Sequence, residues 1–245
     1  MTDIFNGKTW WIIGASEGLG RALAQALDLR GASLIVSARG ANRLQDLAAT
    51  LKNARALPFD VTDPDAARAA TEEAGAIDGL IYCVGQYDPM AAKDWNAEQV
   101  TLMTRANFTG ALDILANALP PMLKRDRGHI VLIGSLAGYT GLPGAIGYGA
   151  SKAALMHLAE NLQADLRSTG LTVKQVNPGF IRTRLTAKNT FQMPFILSPE
   201  DAAQRTIRAI ESRRFATAFP AVFSWVFRLG RFLPRSLFLR LFPTA

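Results

Sequence analysis

Tyr148 and Lys152 stand four positions apart in the segment YGASK (148–152). If this segment is helical, both side chains lie on one face and are neighbours. Their ordinary pKa values, about 10 for the phenol and about 10.4 for the ammonium, leave both groups protonated at neutral pH. Such a pair is an unusual choice for a stabilising contact. Its purpose depends on the elements that position it.

Short apolar runs alternate with helical patterns along the 245-residue chain. The segments that predict strands are 8–14, 32–39, 54–61, 77–85, 128–135, 171–179 and 215–219. The segments that predict helices are 18–31, 41–52, the stretch after Pro64, 97–118, 148–170 and 199–212. This alternation indicates an α/β fold with a single doubly wound Rossmann-type parallel sheet and helices on both faces. We expect one catalytic domain over 1–219, with 220–245 as an amphipathic extension.

The segment GASEGLG (14–20) lies where the first strand passes into the first helix. Glycines there allow the backbone to approach a pyrophosphate at a helix N-terminus. The second strand ends at Arg39, and 36–40 contains no acid for a ribose 2′-hydroxyl. Ser16 and Arg39 suit a 2′-phosphate instead, although the charge of Glu17 argues the other way. We therefore expect NADP(H) to be preferred over NAD(H).

Several motifs occur in an order that resembles the short-chain dehydrogenase/reductase family. They are GASEGLG, Asp60 in FDVTD, Asn107 in the long helix, Ser135 at the end of the fifth strand, YGASK and NPGFIRT (177–183). The resemblance implies that Tyr148 is the general acid or base, with a pKa lowered by Lys152. It also implies that Ser135 binds the substrate oxygen and that Asn107 anchors a water near the lysine.

The same resemblance implies contacts with the dinucleotide. Asp60 and Val61 would face the adenine, and Ile181 and Thr183 would contact the carboxamide. The full implied cofactor-binding set is Gly14, Ser16, Glu17, Gly18, Leu19, Gly20, Arg39, Asp60, Val61, Gly85, Tyr148, Lys152, Ile181 and Thr183. Taken alone, Asp60 could merely cap a turn and Asn107 could be a surface amide.

Two positions depart from the family pattern. The family usually has Thr where this chain has Ile13, and an Asn-Asn-Ala-Gly run where it has Tyr82, Cys83, Val84 and Gly85. Loss of both hydrogen-bonding partners together can be nearly neutral if apolar packing replaces them. We therefore expect cofactor binding to be retained.

The net charge of +7 is confined to the end of the chain. Residues 1–204 hold 19 basic and 19 acidic side chains, whereas 205–245 hold eight Arg and one acid, Glu211. This distribution argues against nucleic-acid binding by the body of the protein. One cysteine and two histidines, His129 and His157, argue against a disulfide framework and against a metal site. With no apolar run behind a basic N-terminus, we expect a cytoplasmic protein.

Two C-terminal segments remain after these assignments. Residues 184–198 link the sixth strand to a helix and are expected to form a mobile substrate lid, as in similar family members. In 220–242, Arg228, Arg231 and Arg235 recur at helical spacing among apolar residues, and Pro234 separates two short helices. Such a segment can contact an anionic membrane surface, an oligomer partner or its own subunit.

The expected function is that of an NADP(H)-dependent oxidoreductase. It would interconvert a carbonyl and a secondary alcohol on a small or medium-sized, rather apolar substrate. By resemblance, a homo-dimer or homo-tetramer joined through the helix that carries YGASK is expected. The alternatives are a non-catalytic dinucleotide-binding regulator and a membrane-recruited adaptor of the same fold.

Overall fold

The computed structural model describes residues 3–189, 191–230 and 232–241. Thr190 of the expected lid, Arg231, and 242–245 at the end of the expected extension lie outside the described residues. The described part contains one parallel sheet whose strands are β1 (Thr9–Ile13), β2 (Ser33–Ser37), β3 (Ala54–Ala56), β4 (Gly79–Tyr82), β5 (Gly128–Ile133), β6 (Leu171–Pro178) and β7 (Ala216–Phe219). Their order is β3-β2-β1-β4-β5-β6-β7.

Helices cover both faces of this sheet. They are α1 (Gly18–Asp28), α2 (Ala41–Ala49), α3 (Pro64–Ala74), α4 (Ala97–Thr104), α5 (Gly110–Lys124), α6 (Ile146–Asp165), α7 (Pro199–Glu211), α8 (Ala221–Gly230) and α9 (Arg235–Leu239). Alternate residues of β1 enter two different cores: Trp10 and Ile12 pack with α1 and α7, whereas Trp11 and Ile13 pack with α3 and α5. This alternation confirms the predicted doubly wound α/β fold.

The order of the strands reverses at β1. The chain first moves outward from β1 to β2 and β3, and then returns to the other side with β4. All strand pairs are parallel, so the carboxyl ends of β1, β4, β5 and β6 share one edge. In open sheets of this kind, ligands bind in the crevice at such a reversal.

Two elements differ from the sequence prediction. The expected helix over 97–118 is divided by a π-helical turn at Arg105–Thr109, and α5 continues to Lys124. The third strand ends at Ala56 instead of continuing to 61. Pro58 has no backbone N–H to donate, although Leu57 still donates to the Val36 carbonyl of β2 and Phe59 to the Ala38 carbonyl just after it.

The C-terminal segment folds back over the body of the chain. As predicted, Pro234 separates two short helices, α8 and α9. The inner face of α8, with Ser224, Phe227 and Gly230, is buried. Part of the segment therefore packs against its own subunit. Among the described residues, no helix is long and apolar enough to cross a membrane.

Candidate active site

A cleft of about 450 Å³ opens at the carboxyl edge of the sheet. It lies at the reversal of strand order and reaches from the turn after β1 to the start of α6. Of the residues predicted from sequence, those that line it are Gly14, Ser16, Glu17, Gly18, Leu19, Gly20, Arg39, Val61, Gly85, Ser135, Tyr148, Lys152, Ile181 and Thr183. Asp60 and Asn107 are not among its lining residues.

Tyr148 and Ser135 lie together on the substrate side of the cleft. Ser135 follows β5, and its hydroxyl accepts a hydrogen bond from the Ala137 N–H at 3.2 Å. Burial raises the pKa of Tyr148, and a hydrogen bond with Ser135 opposes that rise. The ring of Tyr148 also meets the ring of Tyr87 edge-on, with centroids 5.1 Å apart. Tyr148 is therefore a neutral phenol, able to donate a proton, at neutral pH.

The Lys152 ammonium is held by the ends of two strands. Lys152 is 2% exposed, and its Nζ donates to the carbonyl oxygens of Val84 at 2.9 Å and Ile133 at 2.8 Å. Burial lowers the pKa of Lys152 to about 8. The family resemblance implied that Lys152 lowers the pKa of Tyr148, whereas in the structure the pKa of Tyr148 is raised. The reason is that desolvation outweighs the favourable contacts of the phenolate.

Asn107 is a fully buried amide, not a surface one. Its Oδ1 accepts from the Gln86 N–H at 2.7 Å, and its Nδ2 donates to the Gln86 carbonyl and to Ser151 Oγ, both at 2.9 Å. The hydroxyl of Ser151 in turn donates to the Tyr148 carbonyl at 3.0 Å. The side chain thus braces the loop after β4 against α6. Its expected role as a water anchor stays a prediction.

The glycine turn has the shape that a pyrophosphate requires. Gly14 has φ +92°, and a Cβ there would lie 2.8 Å from the Cys83 carbonyl carbon. A Cβ on Gly20 would lie 2.1 Å from the Gly14 oxygen. Glu17, the residue before α1, makes no side-chain cap, so the first N–H groups of the helix are left for another acceptor. These residues fit a dinucleotide phosphate.

Charged side chains surround the outer end of the cleft. Glu17 makes ion pairs with Arg43 at 3.2 Å and with Arg184 at 2.8 Å. Its negative charge is therefore compensated, which weakens the objection it raised to a 2′-phosphate. Arg43 lines the same part of the cleft as Ser16 and Arg39. Sequence reasoning missed Arg43, although it follows Arg39 by four positions in the first turn of α2.

Asp60 caps a turn, as its simpler interpretation allowed. Its Oδ1 accepts hydrogen bonds from the N–H and hydroxyl of Thr62, at 2.9 and 2.8 Å. Val61 and Phe59, on either side of it, line the cleft. Val61 is therefore better placed than the Asp60 carboxylate for the predicted adenine contact.

The positions that depart from the family pattern are well packed. Ile13 and Tyr82 are buried, and the Cys83 N–H donates to the Ile13 carbonyl at 2.8 Å. The Tyr82 hydroxyl donates to the Ala106 carbonyl at 2.6 Å, inside the π-helical turn. Burial raises the pKa of the Cys83 thiol to about 12, so this thiol is neutral. A backbone hydrogen bond and apolar packing join these strand ends, and the Tyr82 hydroxyl ties β4 to the π-helical turn.

The segment after β6 reaches across to the loop after β4. Lys188 Nζ donates to the Tyr87 carbonyl at 2.8 Å and pairs with the Asp88 carboxylate. The Tyr87 hydroxyl donates to Asn189 Oδ1 at 2.8 Å. Sequence reasoning anticipated a lid over 184–198 but missed Tyr87 and Lys188, which close the substrate side of the cleft.

Comparison with known proteins agrees with this arrangement. The family model described as short chain dehydrogenase matches residues 8–193. The chain belongs to the short-chain dehydrogenase family. It is an oxidoreductase of that family, as the motifs indicated.

Three known proteins resemble the chain over nearly its whole length. An uncharacterized oxidoreductase of Myxococcus xanthus is 38% identical over 242 residues, which cover 94% of each protein. A short-chain dehydrogenase from Sphingobium yanoikuyae, solved in complex with NADPH, is 26% identical with a TM-score of 0.83, covering 94% of each chain. One from Streptomyces avermitilis has the same identity and TM-score and covers 96% of this chain and 95% of its own.

Proposed function

We propose that this protein is an NADP(H)-dependent oxidoreductase that interconverts a carbonyl and a secondary alcohol on a small or medium-sized, apolar substrate. The observation that carries the proposal is the meeting of Ser135, Tyr148 and Lys152 in one cleft with the glycine turn. The glycine turn supplies a place for the dinucleotide, and the three side chains supply proton transfer beside it.

Each of these side chains has a task that follows from its surroundings. Ser135 donates a hydrogen bond to the substrate oxygen and orients the reacting carbon. Tyr148, neutral at neutral pH, donates its proton to that oxygen in reduction and takes it back in oxidation. Lys152 holds a positive charge near the developing alkoxide and would hydrogen-bond the nicotinamide ribose when the cofactor is bound. When bound, the nicotinamide supplies or accepts the hydride.

The preference for NADP(H) rests on the outer end of the cleft. Arg39 and Arg43 offer two guanidinium groups where the ribose 2′-phosphate would lie, and Ser16 offers a hydroxyl. The similarity to an NADPH complex supports the same choice. Val61, Ile181 and Thr183 would complete the cofactor contacts.

Three further assignments belong to the proposal. Residues 1–219 form the dinucleotide-binding and catalytic domain, and 220–245 extend it. The protein forms a homo-dimer or homo-tetramer through α6, and it works in the cytoplasm. The alternative of a non-catalytic dinucleotide-binding regulator is opposed by the intact set of Ser135, Tyr148 and Lys152.

The test is a panel of carbonyls and alcohols assayed with NADP(H) and with NAD(H). We expect turnover with at least one pair, and a loss of about 10²- to 10⁴-fold in Tyr148→Phe with cofactor affinity retained. Tyr139→Phe is the matched control, since its hydroxyl accepts from Asn177 and does not line the cleft. Cofactor binding without turnover across the panel would favour the regulator.

A further inference from the structure

The outward face of α8 is apolar. A surface helix normally pairs a buried apolar stripe with a polar outer face. In α8 the inner face is buried, yet Val222 is 76% exposed, Trp225 50% and Leu229 56%. The charged residue of this helix, Arg228, lies over the Trp225 ring at 4.5 Å from its centroid. A helix that is apolar on both faces calls for a second covering surface.

The exposed apolar face continues onto α9. Leu233, Leu237 and Leu241 are 42%, 48% and 60% exposed, while Phe238 points inward and is buried. A Cβ on Gly230 would meet the Phe238 ring at 2.2 Å, so this glycine allows α9 to pack closely on α8. The two helices therefore form one unit. We call its exposed surface, comprising Val222, Trp225, Leu229, Leu233, Leu237 and Leu241, the C-terminal apolar face.

The charged side chains of the segment that carries this face all have one sign. Residues 212–245 contain six Arg and no acid. Arg228 and Arg240 are exposed beside the apolar side chains. A second copy docked symmetrically on the same face would bring arginine against arginine, with no carboxylate of this segment to compensate. An anionic surface with an apolar interior would attract the arginines and bury the exposed apolar side chains.

We propose that the C-terminal apolar face docks on the surface of an anionic lipid bilayer. The leucine, valine and tryptophan side chains enter the boundary between headgroups and acyl chains. Arg228 and Arg240 lie at the level of the lipid phosphates. The face adsorbs to the membrane and does not cross it.

The docked face lies beside the substrate side of the cleft. α8 packs against Leu136–Gly138, which directly follows Ser135, and Arg235 donates to Gly141 in the loop before α6 at 3.4 Å. Phe223 of α8 contacts Phe180 and Phe195, each with ring centroids 5.8 Å apart. Docking thus places the segment that follows Ser135, on the substrate side of the cleft, one helix away from the bilayer. Resting on the proposed function, this position indicates a membrane-dissolved carbonyl or alcohol as substrate.

The test is flotation of the full chain with vesicles of phosphatidylcholine, with and without phosphatidylglycerol. We expect binding only to the anionic vesicles, and weaker binding at high salt. Val222→Glu and Leu229→Glu should each reduce vesicle affinity about tenfold or more, because each places a charge where an apolar side chain was buried. Arg240→Gln should reduce it about fivefold.

Matched controls lie near the amino ends of the strands, away from the C-terminal apolar face. Leu29 is 77% exposed after α1, and Arg127 is exposed just before β5. Leu29→Glu and Arg127→Gln should leave vesicle affinity unchanged. NADPH binding and circular dichroism, measured on every variant, confirm that each remains folded.

Three outcomes would overturn the docking proposal. The wild-type chain could fail to float with anionic vesicles, or Leu29→Glu could weaken binding as much as Leu229→Glu. Light scattering could also show that Leu229→Glu breaks an oligomer while the wild-type chain binds no vesicles, which would assign the face to a second copy. The enzymatic proposal is tested separately by assaying wild type and Leu229→Glu with a water-soluble carbonyl. This reaction does not depend on lipid, so both proteins should reduce the carbonyl alike.

Discussion

Replacing Lys152 by Met tests how the protein holds its catalytic ammonium. Lys152 is 2% exposed, and its hydrogen-bond acceptors are the neutral carbonyls of Val84 and Ile133. Burial lowers its pKa from 10.5 to about 8. Since a tenfold change in a protonation equilibrium is worth about 1.4 kcal/mol, this lowering corresponds to about 3 kcal/mol.

The sign of the pH effect follows from proton uptake. Between pH 8 and 10.5 the unfolded chain keeps the Lys152 proton and the folded chain has lost it. Unfolding then takes up a proton, so the free energy of unfolding rises with pH across this window. Below pH 8 both states are protonated, and the full penalty of burying the ammonium is present.

The assay is urea unfolding of the cofactor-free protein, followed by circular dichroism, at a series of pH values from 7 to 10.5. The free energy of unfolding of wild type minus that of Lys152→Met should increase by about 3 kcal/mol over this range. Any constant effect of lost hydrogen bonds cancels in this comparison. A difference that stays flat, or that falls as the pH rises, would refute the buried-ammonium argument.

Two further predictions concern the cofactor and the strand ends. Arg43→Ala should weaken NADPH binding about 10- to 100-fold, because a charge-assisted hydrogen bond to the 2′-phosphate is lost, and should leave NADH binding nearly unchanged. Fluorescence titration measures both affinities, and equal effects on the two cofactors would contradict the prediction. Tyr82→Phe should lower the free energy of unfolding by about 1–3 kcal/mol, since the Ala106 carbonyl loses the Tyr82 hydroxyl as donor. An unchanged midpoint of urea unfolding would argue against a stabilising hydrogen bond between Tyr82 and Ala106.

Sequence reasoning was most successful where the pattern is set by burial or by backbone geometry. The alternating apolar runs predict the sheet because both of its faces are covered. The spacing in GASEGLG predicts the turn because close backbone contact at Gly14 and Gly20 excludes a Cβ. The order of the motifs also predicted a shared site for Ser135, Tyr148 and Lys152, and all three line one cleft.

Long-range partners were beyond the sequence. Nothing in the local pattern pairs Glu17 with Arg184, which are 167 positions apart, or Lys188 with the loop that carries Tyr87. The π-helical turn around Asn107 was likewise hidden in an ordinary helical pattern. Its buried amide depends on Gln86 and Ser151, which only the fold brings near.

The relation between Tyr148 and Lys152 also changes once the fold is known. The family resemblance implies that the Lys152 ammonium lowers the pKa of Tyr148, yet its hydrogen bonds go to the carbonyl groups of Val84, just after β4, and of Ile133, at the end of β5. Those two strand ends form the floor of the cleft between the glycine turn and Ser135. Burial acts on the two groups in opposite directions, raising the pKa of Tyr148 and lowering that of Lys152. The phenol therefore keeps its proton for a substrate oxygen, while Lys152 fixes the strand ends between which the cofactor and the substrate must meet.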